Sequence, residues 1–311
     1  MIKSVNQLIT MRCNSRCTMC KIWEEDDFSN EMKTEDYRKL YALPIFAQLA
    51  DVAISGGEPA LTPDMLDITN AIIDDKPCLN TLFYCTNGIN PRKAVEFVEE
   101  FAPKVKNVFV SVSIDGPRSV HKNIRGIDCY DSAIKTLNAV RDCSAKNVKT
   151  LISTTIVSEN CNVEALDHIR DLAQSTQSTH TFRLAAQSDT FYANAGVSDS
   201  ALKLSSDKRE FIAGYIQKHY SDDSFMMIQH DFIANNKSFL GTKDNLRCLA
   251  GNISVFVKPD GIIYPCINST RIIGNRNGLF QTPYTLGSME KCPCCTECQI
   301  YPMLNYAQFK S

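Results

Sequence analysis

No apolar run in this chain reaches the length of about 18 residues that a membrane-spanning helix needs. The opening M-I-K-S-V-N-Q-L-I-T is too short and too polar to act as a secretory signal. A soluble, cytoplasmic protein is the expectation. Charge of one sign is also missing: 33 Lys and Arg face 35 Asp and Glu, a formal net charge of −2. That balance excludes an electrostatic grip on nucleic acid or on an anionic membrane as the main mode of action. Internal repeats, heptads and low-complexity tracts are absent, so solenoids and coiled coils are excluded as well. At 311 residues and 44% hydrophobic content, the chain is one large domain or two of ordinary size, with a sizeable core.

What the chain does have is cysteine, 14 in all. In a reducing compartment such a number argues for metal sites rather than disulfides. Placement supports this: three open the chain, six lie between Cys248 and Cys298, and Cys78, Cys85, Cys129, Cys143 and Cys161 are scattered. The first three, in C-N-S-R-C-T-M-C, are Cys13, Cys17 and Cys20. Three thiolates on one tight loop suit three irons of a [4Fe–4S] cubane, and the next cysteine, Cys78, is far away. The fourth iron is then open to a ligand that is not protein.

Strand-like and helix-like stretches alternate as far as about residue 190. Strands are expected at 4–10, 51–55, 81–85, 107–114, 148–157 and 179–185, with helices at 33–43 (capped by Thr34), 63–74, 91–101, 130–147 and 163–174. Six β/α units imply an α/β fold with a parallel sheet, too short for a closed eight-stranded barrel: a partial (β/α)6 barrel. Residues 1–190 would form it, and residues 191–247 a connecting region with helices near 207–219 and 226–239. Residues 248–311, rich in Cys, Gly and Pro, would be a small metal-held extension. Chemistry in such barrels collects at the carboxyl ends of strands, where the cysteine loop, G-G-E-P, T-N-G and S-I-D-G all fall.

The cysteine loop, with G-G-E-P one β/α unit later, resembles the radical S-adenosylmethionine (SAM) superfamily. The resemblance implies that SAM fills the open iron position and is cleaved reductively to a 5'-deoxyadenosyl radical. It places Gly56, Gly57, Glu58 and Pro59 at the SAM amino group, the glycines admitting a ligand close to the backbone. Ser113 and Asp115 fall in the ribose-contacting region, and Asn87 of T-N-G is a further ribose candidate, although T-N-G also reads as a plain turn. Arg125 suits the SAM carboxylate or a surface salt bridge. Leu184 suits an adenine contact or ordinary core packing. One departure is Met19, where the family usually has an aromatic before the third cysteine; it alters packing, not ligation.

In the carboxyl-terminal part, V-F-V, a P-D-G turn and I-I-Y read as a hairpin that brings Cys248 and Cys266 near each other. The pattern resembles the SPASM and twitch extensions of radical SAM enzymes, which bind auxiliary [4Fe–4S] clusters. Cys295 and Cys298 would complete one such site, with Cys292 as the alternative ligand. Four thiolates also suit zinc, and spacing alone does not separate the two metals. No cysteine follows Cys298, so one auxiliary cluster is expected.

The cluster loop begins at residue 13, with no preceding peptide-recognition domain, which points to a small-molecule substrate. The twitch resemblance, to a 2-deoxy-scyllo-inosamine dehydrogenase type, points to oxidation of a carbohydrate or cyclitol. A sugar epimerase, with Cys292 or Cys294 as hydrogen donor, is one alternative. A maturase of a ribosomal peptide or protein side chain, with a precursor peptide as partner, is another. A glycyl-radical activase is excluded, because residues 21–77 hold no ferredoxin-type cysteines. Every reading requires an external one-electron reductant such as flavodoxin or ferredoxin.

Overall fold

The computed structural model describes residues 1–198, 202–223, 226–227, 229–230, 233 and 250–278. Six strands follow one another in a parallel sheet: β1 (Ser4–Leu8), β2 (Asp51–Ser55), β3 (Thr81–Thr86), β4 (Asn107–Ser113), β5 (Val148–Ile156) and β6 (Thr179–Leu184). Five of the connections carry helices: α1 (Thr34–Tyr41) and α2 (Met65–Ile73), then α3 (Pro91–Phe101), α4 (Arg118–Arg125) with α5 (Tyr130–Asp142), and α6 (Val163–Thr176). The helix α7 (Ser206–Tyr220) follows β6.

The strands alternate for a reason. Val52, Ile54, Leu82, Tyr84, Val108, Val110, Val112 and Ile152 share one core with Leu40, Ile72, Phe97, Phe101, Leu137 and Ile169 from the helices. Burying each such side chain contributes about 1.5–3 kcal/mol, which holds the helical layer to the sheet. Residues one step out of phase, such as Phe83 and Phe109, are only half-buried and stack on the opposite face with centroids 4.9 Å apart. A second core joins Ile156, Leu166 and Phe182 to Leu204, Ile212 and Ile216, and so fixes α7.

The expected hairpin forms as β7 (Ser254–Val257) and β8 (Ile263–Tyr264), antiparallel, with Gly261 at φ +81° in the turn. It lies in the main sheet: β7 pairs in parallel with β1, giving the order β6-β5-β4-β3-β2-β1-β7-β8. The sheet is open, as a partial barrel requires.

Two local expectations are corrected, and one helix is new. The helix expected over 130–147 ends at Asp142, because Ser144 takes φ +54° and Asn147 turns its Nδ2 onto the carbonyls of Ala102 and Val105, both at 2.8 Å. At α1 the cap is Lys33 rather than Thr34; the Asp36 carboxylate accepts from the Lys33 N–H at 3.0 Å. The segment after S-I-D-G is helical, as α4, and Gly126 ends it at φ +68°. Of the helix expected at 226–239, residues 226, 227, 229, 230 and 233 are helical and the other nine lie outside the described residues.

Candidate active site

The loop from Thr10 to Cys20 leaves the carboxyl end of β1 and is gripped from two sides. On one side Gly57 N–H donates to Thr10 O (2.9 Å) and Glu58 N–H to Arg12 O (2.7 Å). On the other, Arg16 N–H donates to Arg125 O (2.8 Å) and Thr18 N–H to Ile124 O (2.9 Å), at the end of α4. This contact explains the glycines. A Cβ on Gly57 would lie 2.2 Å from Arg12 O, and one on Gly56 2.5 Å from Thr10 O. The two glycines therefore admit the cysteine loop's own backbone. Glu31 pins the loop's start by accepting from Thr10 Oγ1 (2.9 Å), Met11 N–H (2.7 Å) and Arg12 Nη1 (2.6 Å). Trp23 Nε1 donates to Cys20 O at 2.9 Å, and Asn194 Nδ2 to Met19 O at 2.8 Å. Met19 is buried with Ile124, Val157 and Leu202.

Cys17 is buried, and Cys13 and Cys20 are half-buried against Leu8, Phe256 and Tyr264. Burial pushes the Cys13 and Cys20 thiols up to about 12 and raises Cys17 too. Thiols so placed give up their protons only to a cation that takes over the charge. Among the described residues no three His, Cys, Asp or Glu side chains are close enough to share one ion. Three cysteines within eight residues of one loop suit a cubane, in which each thiolate binds a separate iron. The residues present fit the cluster.

Glu58 is buried beside the loop. Its carboxylate accepts from Asn87 N–H (2.7 Å), Thr86 Oγ1 (2.8 Å) and Ala60 N–H (3.1 Å), while burial pushes its pKa up. Pro59 opens the single 3-10 turn Pro59–Leu61 that holds the Ala60 N–H in place. Asn87 reaches the cysteine loop through Nδ2, donating to Asn14 Oδ1 (2.8 Å) and Ser15 Oγ (3.0 Å). Ser113, half-buried, ends β4 opposite Ser153 of β5.

Asp115 is fully buried; its Oδ2 accepts from Arg125 Nε (2.6 Å) and its Oδ1 from Thr155 N–H (2.9 Å). Arg125 is therefore not in a surface salt bridge; its ion pair is buried, and Nη1 lies 3.7 Å from Cys17 Sγ. Burial works against the guanidinium's charge, and Asp115 and Cys17 more than offset it, so its pKa stands raised. Leu184 packs against the second core, beside α7. Sequence reasoning missed Asn14, Ser15, Glu31 and Asn194, polar residues common in any loop. Only the fold brings them to the cysteines.

Of the extension's cysteines, Cys266 is described and buried. Cys248, Cys292, Cys294, Cys295 and Cys298 lie outside the described residues. Next to Cys266, the carbonyl of Ile267 accepts from the hydroxyls of Ser188 and Thr190. The same segment donates to Met19 through Asn194, and Tyr192 O accepts from Lys21 N–H at 2.8 Å.

Residues 8–172 match the family model of the radical SAM superfamily. The chain belongs to that superfamily. A radical SAM enzyme uses a [4Fe–4S] cluster and SAM. The sporulation killing factor maturation protein SkfB of Bacillus subtilis (strain 168) is 22% identical over 259 residues, 83% of this chain and 58% of SkfB. A probable GTP 3',8-cyclase of Methanocaldococcus jannaschii is 23% identical over 275 residues, 86% of this chain and 85% of that protein. This radical SAM chain thus spans little more than half the length of SkfB. Among solved structures, Streptococcus suis SuiB bound to precursor peptide SuiA superposes with a TM-score of 0.66 at 16% identity, covering 91% of this chain and 65% of SuiB. Native anSMEcpe with bound AdoMet and Cp18Cys peptide gives 0.63 at 16% identity, covering 100% and 98%. At these identities the structures speak for the fold. Among the described residues no helix is long and apolar enough to cross a membrane.

Proposed function

We propose that this radical SAM enzyme modifies a side chain of a ribosomal peptide or protein, with the precursor peptide as partner and an external one-electron reductant such as flavodoxin or ferredoxin. The similarity to SkfB over 83% of the chain carries this reading. The carbohydrate or cyclitol reading loses its support. It leaned on the cluster loop's position near residue 13, to which a chain that spans 58% of its relative gives no weight, and on the twitch resemblance alone.

Bound to the cluster, SAM supplies the radical that abstracts hydrogen from the substrate. This chain's own residues hold and orient. Cys13, Cys17 and Cys20 would ligate three irons, and the buried Glu58 would offer SAM's ammonium a charged partner without competing water. Gly56 and Gly57 let Glu58 stand against the cluster loop. Ser113 and Asn87 are the ribose candidates, Arg125 the carboxylate candidate. In the extension, Cys248, Cys266, Cys295 and Cys298 would hold an auxiliary [4Fe–4S] cluster, with Cys292 as the alternative ligand.

The test is a reaction of anaerobically reconstituted, dithionite-reduced protein with SAM and short Cys- or Gly-rich peptides. A changed peptide mass, formed together with 5'-deoxyadenosine, supports the proposal. Deoxyadenosine formation stimulated by GTP or by an aminocyclitol, with every peptide unchanged, overturns it.

A further inference from the structure

Arg125 holds the cysteine loop twice, and the second hold has no part in loop geometry. Its carbonyl accepts from Arg16 N–H (2.8 Å), while its guanidinium is turned so that Nη1 lies 3.7 Å from Cys17 Sγ. That orientation is built. Asp115 Oδ2 takes Nε at 2.6 Å, and the Asp115 side chain is wholly buried. Asp115 is fixed in turn on every side: Oδ1 accepts from Thr155 N–H (2.9 Å), and its carbonyl accepts from Asn160 Nδ2 (2.9 Å). Its own N–H donates to His121 Nδ1 (3.2 Å). Because Nδ1 accepts there, the imidazole carries its proton on Nε2, which faces Cys129 Sγ at 3.2 Å. With Nε committed to Asp115, the planar guanidinium has one direction left for Nη1, towards the sulfur.

From this geometry we infer that Arg125, locked by Asp115, donates to the Cys17 thiolate and so raises the reduction potential of the cluster bound there. One-electron reduction adds negative charge that the cluster shares with its thiolates. A cationic N–H beside one of them stabilises the reduced form more than the oxidised form. The electron comes from the external reductant, and no bond in the protein forms or breaks. Asp115 stands behind the guanidinium and cancels part of its field, so the effect depends on the aimed fork rather than on bare charge. This role is distinct from any contact of Arg125 with SAM and is present without SAM.

The experiment is a potentiometric titration of the anaerobically reconstituted holoprotein, without SAM, in which the reduced cluster is followed by electron paramagnetic resonance. Iron content and melting temperature report folding separately. In Arg125→Gln the reduced-to-oxidised ratio at the wild-type midpoint should fall about tenfold, a shift of about 59 mV to more negative potential. Arg125→Lys should shift the same way by less, because an ammonium cannot serve Asp115 and Cys17 in one geometry. A cluster-loaded Arg125→Gln protein at the wild-type potential overturns the inference. Should Arg125→Gln fail to take up the cluster, a loaded Arg125→Lys protein at the wild-type potential overturns it equally.

Discussion

The two cysteine-bearing regions hang from neighbouring strands, β1 and β7, and are built on opposite principles. Cys13, Cys17 and Cys20 lie within eight consecutive residues, and the fold needs only to orient a loop that already carries its ligands. It does so with backbone hydrogen bonds from the G-G-E turn and from the end of α4. The second region spreads its cysteines from Cys248 to Cys298, so a site shared by them would have to be assembled by the fold. Its described member, Cys266, follows β8, and Ser188 and Thr190 hold the next carbonyl. A ligand set written locally is readable from spacing. One assembled by tertiary structure is readable only as a list of candidates.

The largest effect that would break this contrast is in metal content. The wild-type protein should hold about eight irons from two cubanes, and replacing Cys13, Cys17 and Cys20 together with Ala should leave about four and abolish SAM cleavage. Zinc in the remaining site, detected by elemental analysis, would remove the auxiliary cluster from the picture. Next in size is Gly57→Ala. With a Cβ 2.2 Å from Arg12 O, the loop has to shift, at about 1–3 kcal/mol. Iron uptake should drop while far-ultraviolet circular dichroism stays native; full iron content would show that the loop is less tightly gripped than its contacts indicate.

Glu58→Gln should weaken SAM binding by roughly 1–3 kcal/mol, read by equilibrium dialysis on the loaded protein. Unchanged affinity would reduce G-G-E-P to a packing device. A pH series compares His121, which belongs to the first region's support, with His180, which does not. Burial, helped at His121 by the Arg125 guanidinium, holds their pKa values down at about 4 and about 3. The unfolded chain binds a proton at each near pH 6.5, where the fold does not. Stability is therefore fully present above that pH and is lost as pH falls from about 6.5 towards 4. Each imidazole should cost about 1.4 kcal/mol between about pH 7.5 and 5.5, measured by denaturant titration. A flat profile would overturn the depressed pKa at both, and a loss of only about 1.4 kcal/mol in total would overturn it at one. Last is Asn194→Ala, which frees Met19 O, Ala186 O and Ser188 N–H together and should cost about 1–3 kcal/mol. Its melting-temperature shift should be greater in the loaded than in the cluster-free protein if the 188–194 segment serves the first region.

The sheet was legible because its strands alternate strongly: the limits of β2 and α3 were expected to the residue, and the P-D-G turn announced the β7–β8 hairpin. Helix α4 was not legible. It is short, and R-S-V-H-K-N-I-R buries only His121, Ile124 and Arg125, too few to make a helical period stand out. The cysteines, Glu58 and Arg125 were visible as candidates, but their partners were not. Nothing local says that Asp115 pairs with Arg125, or that Gly56 and Gly57 face the backbone of residues 10–12. Both facts arise from β/α units that meet only at the barrel's end. The pairing of β7 with β1 was likewise invisible, since a strand's face is written in its sequence and its neighbour is not.

That last pairing sets an order on the birth of the molecule. Ser4 lies beside Ser254 and Gln7 beside Val257, so about 250 residues must be polymerised before the outer edge of β1 finds its partner. At ordinary translation speeds this takes roughly 10–50 s, during which an unpaired edge and the three thiols beside it are open to solvent. Strands that leave the ribosome about 250 residues after β1 thus shelter the loop that follows it.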